Sequence, residues 1–362
     1  MTTTTAKKKL RFGFTTGACA AAAAKAAALL LLTGEKRRRV EIPFPGGGRH
    51  SFFPVMYGRE GEEAWAAVIK DAGDDPDVTN GAEIISRITR AATASTSGRI
   101  LFAAGDGVGT VTKPGLVLPV GAPAINPGPR GMIREALAEA MAAAGNRDDF
   151  LVTVSVTGGE ELAARTLNRR LGIVGGLSIL GTTGIVRPVS AAAWTATITA
   201  SMQVARAAGL DEVVLSTGRT SERVIQRVLG FPEEAYAMMG DYLEFSLQQA
   251  RTRGFQRIHL AAMWGKVCKA ALEIPQTHVR HGPLEPDRLV DFLRRHGLDR
   301  SMARGLLGAN TAREIHERLT AAGRHDIILM VCERAKRYAQ QVSTLPVNLY
   351  LIGSGKEVLV RV

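Results

Sequence analysis

Residues 105–133 form a stretch in which glycine and proline recur every few positions, GDGVGTVTKPGLVLPVGAPAINPGPRGMI. Its seven glycines and five prolines argue against a regular helix and against a central strand. Glycine loses much entropy when it is ordered, and proline removes a hydrogen-bond donor. The stretch also holds too many valines, leucines and isoleucines for a solvated linker. We therefore expect an ordered loop, either a rigid connection or a binding loop.

An apolar run near the N-terminus, ACAAAAAKAAALLLL, predicts a helix over residues 18–32 that ends at Gly34. Thr15 or Thr16, in the glycine-bounded turn FGFTTG, can cap its first turn. The free N–H groups at such a helix start also suit a carboxylate or a phosphate. Lys25 interrupts the run, which is too short to span a bilayer, so we expect a buried helix in a cytoplasmic protein and no membrane.

The formal net charge of the 362-residue chain is +12. Such a balance is compatible with nucleic acid, an anionic membrane surface or a polyanionic small molecule. Basic runs at residues 7–11 and 36–39 account for part of it, and such runs are usually solvated. No zinc-finger, basic-zipper or aromatic RNA-binding motif accompanies the charge. We therefore expect no nucleic-acid partner.

Four aspartates cluster in the segment KDAGDDPDVTNGAEI, at Asp71, Asp74, Asp75 and Asp77. The loop could bind a metal, supply a general acid or base, or form a turn capped by its own side chains. It does not match an EF-hand, and the three cysteines of the chain form no CxxC pair. We expect no metal site in the protein itself, and the cysteine usage fits a reducing compartment.

From residue 211 onward, strand, glycine turn and helix recur three times. This pattern predicts a doubly wound α/β domain whose ligand lies at the carboxyl ends of its strands. No GxGxxG motif occurs, which disfavours a dinucleotide, and the GTTG motif at 181–184 lacks a Walker ending. We expect an α/β protein in which an α+β lobe, residues 1–208, precedes a doubly wound α/β lobe with a mainly parallel sheet, residues 209–362.

Six segments together resemble the CbiD family, the cobalt-precorrin-5B C-1 methyltransferases. They are FTTGACAAAAAKAA, VIKDAGDDPDVTNGAEI, the 105–133 stretch, RTLNRRLGIVGGLSILGTTGIVRP, STGRTSE and MGDYLEF. The resemblance weakens at AAMWGKVCKAALE, where a glycine and a histidine of the family pattern are replaced by Ala262 and Met263. Gly265, Lys266, Lys269 and the Thr277-His278 pair of that pattern remain.

The resemblance implies methyl transfer from S-adenosylmethionine to C-1 of cobalt-precorrin-5B, giving cobalt-precorrin-6A in anaerobic cobalamin biosynthesis. Cobalt then enters only as part of the substrate. The macrocycle is itself the nucleophile, so the protein mainly aligns two substrates and excludes water. A basic protein with helix N-termini suits a tetrapyrrole that carries many carboxylates.

The expected sites divide between the two lobes, with the tetrapyrrole on the first and the methyl donor on glycine turns. The tetrapyrrole set is Thr15, Thr16, Lys113, Asn126 and Arg130. The S-adenosylmethionine set is Gly181, Thr182, Thr183, Gly184, Thr217, Gly218, Gly240 and Asp241, where Asp241 could accept from a ribose hydroxyl. Asp75 is the candidate base for the proton lost during ring methylation. For each glycine, turn geometry alone remains an alternative.

Two other readings stay open at this point: a nicotinamide-dependent reductase of the same pathway and a non-catalytic corrinoid carrier. The missing GxGxxG argues against the reductase, and binding of S-adenosylmethionine would separate an enzyme from a carrier. A homo-oligomer, or transient contact with neighbouring pathway enzymes, is also possible.

Overall fold

The computed structural model describes residues 10–91, 98–277 and 284–362. The basic residues 7–9 and the pair His278-Val279 therefore lie outside the described residues. The chain divides into two compact units, residues 1–191 and 192–362. The sequence placed the boundary after residue 208 instead. The difference is one helix, whose buried residues Ile198, Met202 and Ala205 belong to the core of the second unit.

The first unit combines two long helices and a short one with thirteen strands. The helices are α1 (Thr16–Thr33), α2 (Pro127–Ala143) and α3 (Gly159–Ala163). The strands are β1 (Gly13–Phe14), β2 (Val40–Pro43), β3 (Arg49–Phe52), β4 (Met56–Glu60), β5 (Glu63–Ile69), β6 (Glu83–Arg90), β7 (Ile100–Ala104), β8 (Gly107–Val108), β9 (Thr110–Val111), β10 (Phe150–Val156), β11 (Ile173–Val174), β12 (Gly176–Leu177) and β13 (Ile185–Val186).

Helix α1 is the centre of the first unit. The Thr15 side chain accepts from the Ala18 N–H and caps its start, and Gly34 ends it in the left-handed conformation with φ 75°. The helix packs against α2 and against strands β5 and β6. By length and composition it could cross a membrane, with a mean hydropathy of 1.6, but 78% of that window is buried inside the protein. The predicted buried helix is therefore confirmed.

The main sheet of the first unit has the strand order β4-β5-β6-β10-β7. Its neighbours are antiparallel except for β10 and β7, which run parallel. Strand β10 alternates buried and half-buried side chains, as expected for a strand with one face on a core. Among the described strands, β7 lies at an edge of this sheet.

The glycine-proline stretch is an ordered loop over most of its length, as predicted. It contains β8 and β9, which pair with β12 and β11. Its last residues are helical, however, because α2 begins at Pro127, inside the stretch that the sequence predicted as a loop. Proline fits a first helical turn, where its missing N–H would have no intrahelical partner.

The second unit is a doubly wound α/β domain. Its helices are α4 (Ala191–Ala207), α5 (Arg219–Leu229), α6 (Leu243–Thr252), α7 (Trp264–Ala271), α8 (Pro286–Arg295), α9 (Arg300–Leu306), α10 (Ala312–Ala321) and α11 (His325–Ser343), with a 3-10 turn at Glu233–Ala235. Its strands are β14 (Glu212–Ser216), β15 (Tyr236–Met238), β16 (Arg257–Met263), β17 (Val347–Ile352) and β18 (Val358–Arg361).

The sheet of the second unit has the order β15-β14-β16-β17-β18. The first four strands are parallel and only β18 is antiparallel, which confirms the predicted mainly parallel sheet. The chain moves from β14 outward to β15 and then returns to the other side of β14. This change of direction places the topological switch point between the carboxyl ends of β14 and β16.

Candidate functional site

In the first unit, the start of α1 is joined to the loop at residues 180–184. The Thr16 hydroxyl accepts from the Leu180 N–H at 2.8 Å. The backbone N–H of Thr15 donates to the Gly184 carbonyl at 3.0 Å, and that of Gly17 donates to the Leu180 carbonyl at 2.9 Å. These bonds hold the loop across the first turn of the helix.

The start of α2 lies at the same loop. The Asn126 N–H donates to the Ile179 carbonyl at 3.1 Å, and residues 125 and 179 form a parallel bridge. A β-carbon at Gly128 would lie 2.9 Å from the Gly181 carbonyl oxygen. The N-termini of α1 and α2 therefore meet at one loop, and Thr15, Thr16 and Asn126, three residues of the expected tetrapyrrole set, all bond to the segment at 179–184.

The expected donor set is divided between the two units. Its loop at 181–184 belongs to the first unit, whereas its turns at Thr217 and Gly240 belong to the second. A β-carbon at Gly181 would lie 2.3 Å from the Thr15 hydroxyl oxygen, and one at Gly184 would lie 2.5 Å from the Phe44 ring. Close approach to the start of α1 thus requires glycine at 181, and close approach to Phe44 requires it at 184. Thr182 and Thr183 are exposed between them.

Arg130 and Lys113, the two basic residues expected to bind the tetrapyrrole, differ in their surroundings. The Arg130 Nε donates to the Ile125 carbonyl at 2.7 Å and its Nη2 to the Pro123 carbonyl at 3.2 Å. The stem of Lys113 covers Gly172, where a β-carbon would lie 2.4 Å from the lysine Cβ. Arg130 therefore fixes the end of the glycine-proline loop at the start of α2, whereas Lys113 lies where β9 approaches β11.

The aspartates of the acidic loop are bound by neighbouring residues of the same unit. Asp71 binds the Arg11 guanidinium, with Nη2 to Oδ1 at 2.9 Å, and Asp77 binds the buried ammonium of Lys70 at 2.7 Å. Asp75, the candidate base, accepts from the Val189 N–H at 2.8 Å. Within the described parts of the chain, no group of three histidine, cysteine or acidic side chains could hold a metal ion.

The second unit presents polar groups at the carboxyl ends of its parallel strands. Thr217 follows β14, its N–H donates to the Ala261 carbonyl of β16 at 3.2 Å, and Gly218 precedes α5. The Ser221 hydroxyl donates to the Gly218 carbonyl at 2.9 Å. The predicted Thr217-Gly218 turn therefore lies at the switch point, where open α/β sheets bind ligands.

Asp241 forms the centre of a polar cluster at the same edge. The Lys266 ammonium donates to its carboxylate, and the Thr277 hydroxyl donates to the same oxygen at 3.1 Å. Lys266 and the buried Lys269 also donate to the Thr277 carbonyl, at 3.0 and 2.8 Å. Burial, assisted by the charge of Lys266, lowers the pKa of Lys269.

Sequence reasoning assigned Asp241 but gave Lys266, Lys269 and Thr277 no role. A signal was present, since these three remained where the surrounding family pattern is altered. What the pattern could not show is that a crossover between parallel strands brings them to Asp241. Thr277 is the last described residue before 278–283.

Trp194 lies against Gly240, one residue before Asp241. Its indole Nε1 donates to the Met239 carbonyl at 3.2 Å, and a β-carbon at Gly240 would come within 2.9 Å of the ring. The side chain remains 44% exposed. A half-exposed aromatic ring is thus fixed beside the carboxyl ends of the parallel strands.

A cavity beneath this edge is lined by Thr217, Lys266, Thr277 and apolar side chains of β16, α6 and α7. Its volume is about 10 Å³, which is the size of one water molecule. A ligand of cofactor size is therefore too large for this cavity.

The fold and these groups define a class of protein: a two-unit α/β protein. Its second unit presents polar groups at the carboxyl ends of parallel strands, and its first unit brings two helix N-termini to one loop. The family model described as CbiD matches residues 3–188, and the one described as CbiD, C-terminal domain, matches residues 276–362. The chain belongs to the CbiD family.

Several curated relatives match along nearly their whole length. A cobalt-precorrin-5B C(1)-methyltransferase of Desulfotalea psychrophila is 54% identical over 363 residues, with 98% of each chain covered. Its counterpart in Geobacter sulfurreducens is 45% identical, with 97% of this chain and 98% of the relative covered. A crystal structure of cobalamin biosynthesis protein (cbiD) from Archaeoglobus fulgidus is 27% identical over 80% of this chain and 85% of that one, with a TM-score of 0.40.

Proposed function

We propose that this chain transfers a methyl group to C-1 of cobalt-precorrin-5B and yields cobalt-precorrin-6A in cobalamin biosynthesis. The observation that carries the proposal is the 54% identity, over 98% of both chains, to a relative named for this activity. The relatives are named as methyltransferases, so the comparisons favour this activity over a nicotinamide-dependent reductase and over a corrinoid carrier. We propose S-adenosylmethionine as the donor, which supplies an electrophilic methyl group on its sulfonium.

The first unit is assigned to the tetrapyrrole. Two helix N-termini meet at one loop through the Thr15 and Asn126 N–H groups and the Thr16 hydroxyl, and the partial positive charge of such termini suits carboxylates. The loop at 181–184 is part of the same surface, so we assign it to this substrate and no longer to the donor. Arg130, near the end of the glycine-proline loop, and Lys113, within it, add positive charge.

The second unit is assigned to the methyl donor. Its residues fit S-adenosylmethionine because the edge combines a carboxylate, a backbone turn and an exposed aromatic ring. Asp241 can accept from ribose hydroxyls, the turn at Thr217 and Gly218 can contact the adenosine, and the face of Trp194 can stack on the adenine. Lys266 and Thr277 fix the Asp241 carboxylate in one orientation.

The protein's part in the transfer is alignment, since the macrocycle provides the attacking carbon. One Asp75 oxygen is held by the Val189 N–H, which orients the carboxylate. Asp75 is our proposed acceptor for the proton that leaves the ring. None of the three cysteines is suited to act as a nucleophile, because all are buried and burial raises the pKa of Cys19 and of Cys332 to about 12.

We propose a cytoplasmic enzyme that acts on a small-molecule tetrapyrrole, without nucleic acid or membrane, and that forms a homo-oligomer or makes transient contact with neighbouring pathway enzymes. Sedimentation of the purified protein alone and with the preceding enzyme of the pathway tests this point.

The activity is tested by incubating the purified protein with S-adenosylmethionine and a mixture that generates cobalt-precorrin-5B. Formation of S-adenosylhomocysteine, with a product heavier by one methyl group, supports the proposal. A product reduced at the expense of NADPH would favour the reductase. Tight tetrapyrrole binding with no turnover and no thermal shift by S-adenosylmethionine would favour the carrier.

A further inference from the structure

We propose that Arg134 is a further substrate-binding residue, which acts with Arg130 as a paired guanidinium site for a carboxylate of the tetrapyrrole. The inference rests on the proposed function and adds a residue to which sequence reasoning assigned no role. It starts from one aromatic ring, Phe102, and from the two charges that lie over it.

Phe102 belongs to the edge strand β7. Ile100, Phe102 and Ala104 face the core of the first unit, on the side where α2 packs. The Arg130 guanidinium carbon lies 5.2 Å from the centre of the Phe102 ring, and that of Arg134 lies 4.9 Å from it. The two arginines are four positions apart on α2, so they share one face of the helix. Stacking on one ring fixes both planar groups at the sheet edge.

The two charges have no anionic partner among the described residues. Other arginines of this unit, Arg11, Arg49 and Arg99, each bind an aspartate or a glutamate. Arg130 instead donates to two backbone carbonyls through Nε and Nη2, and Arg134 lies over the Phe102 ring. Two cations that lie over one ring repel each other. Burial, with the charge of Arg134, lowers the pKa of Arg130.

An unpaired cation pair of this kind is relieved by a bound anion. A carboxylate matches the geometry, because a guanidinium donates two parallel N–H bonds to its two oxygens. Arg130 also holds the carbonyls of Pro123 and Ile125, so the pair lies beside the start of α2, where the helix N-termini of the proposed tetrapyrrole surface meet. The chemistry therefore points to an acetate or propionate side chain of the macrocycle.

The test measures direct binding of uroporphyrin III, a stable tetrapyrrole polycarboxylate. Binding is monitored through the quenching of its fluorescence. Arg134→Gln should weaken binding about tenfold, the effect of losing one charge-assisted pair. Arg134→Lys, which keeps the charge but loses the fork, should bind with an intermediate affinity. Arg38→Gln removes the same charge from an exposed arginine of the same unit and should change the affinity less than twofold. The difference between the two glutamine variants should shrink at high salt, because exposed charges are screened.

Equal affinities of Arg134→Gln and Arg38→Gln would overturn the inference. So would a failure of the unaltered protein to bind uroporphyrin, because the arginine pair would then serve another ligand. S-adenosylmethionine affinity and methyl transfer are measured on the same samples. If the unaltered protein transfers no methyl group, that result counts against the proposed function. Tight uroporphyrin binding that depends on Arg134 would still support the arginine pair.

Discussion

Gly17 of α1 packs directly against the ring of Pro129 of α2. A β-carbon at Gly17 would lie 2.6 Å from the proline Cγ and 2.9 Å from the Leu180 carbonyl oxygen. The two helices can start side by side at the 180–184 loop only because this position carries no side chain. The contact thus joins the packing of the first unit to its proposed substrate surface.

Gly17→Ala should lower the free energy of unfolding by roughly 1–3 kcal/mol, because the added methyl meets a rigid ring and a backbone oxygen. Gly131→Ala in α2 is the matched control, since no atom lies within 4 Å of its β-carbon position. That control should be neutral or stabilising, as alanine favours helix. Urea unfolding measures both variants, and a Gly17→Ala protein as stable as Gly131→Ala would contradict the packing described.

Glu139 predicts an acid-sensitive part of the stability. Hydrogen bonds from Arg49, at 2.8 Å to each carboxylate oxygen, and an ion pair with Lys25 lower the pKa of Glu139 to about 2. A lowered pKa in the folded state stabilises the protein above the ordinary glutamate pKa, and this stabilisation is lost as the pH falls towards 2. The free energy of unfolding, measured with urea, should therefore decline between pH 6 and about pH 3, and Glu139→Gln should reduce this decline.

Glu135→Gln serves as its control, because Glu135 is exposed on the same helix. It should leave the pH dependence of the unaltered protein in place. If Glu139→Gln retained the full acid-dependent decline, the ion pairs of Glu139 would not be its source.

Asp241→Asn should weaken S-adenosylmethionine binding roughly 10- to 100-fold, the range expected when a charged hydrogen-bond acceptor is lost. The asparagine also loses the ion pair with Lys266. Asp211→Asn removes the same charge from an exposed aspartate of the same unit and should leave binding unchanged. Titration calorimetry on folded protein decides the outcome. An unaltered affinity in Asp241→Asn would place the donor elsewhere.

Gly240→Ala should disturb Trp194. Gly240 has φ 58°, and its added methyl would come within 2.9 Å of the indole ring. Gly230 has a similar φ of 62°, and no atom lies within 4 Å of its β-carbon position. Gly230→Ala therefore measures the backbone cost alone, about 1 kcal/mol or more. Gly240→Ala should cost more than this and should shift the tryptophan emission. Equal losses with unchanged emission would rule out the Trp194–Gly240 contact.

Much of the fold could be read from local patterns. The helix predicted over residues 18–32 and the recurring strand, turn and helix after residue 211 are both present, because apolar runs and glycine turns are properties of a few neighbouring residues. The start of α2 could not be read in this way. The same proline that breaks a helix interior is well suited to its first turn, and only packing decides between the two.

The candidate site was less accessible to sequence reasoning. Nothing in GTTG reveals that Gly181 lies against Thr15, since that approach joins segments far apart in the chain. The same is true of Lys266 and Asp241, which a crossover connection brings together. Arg134 was missed because a charge on a helix is usually solvated, and only the contact with Phe102 sets it apart.

The central claim is methyl transfer to C-1, and it is tested most directly by locating the transferred group. S-adenosylmethionine with an isotope-labelled methyl group is supplied to the protein together with a mixture that generates cobalt-precorrin-5B, and the product is examined by NMR. We predict a labelled methyl resonance that correlates with C-1 of the macrocycle. Label at another ring position, or no label in the product while the partner enzymes are active, would contradict the account.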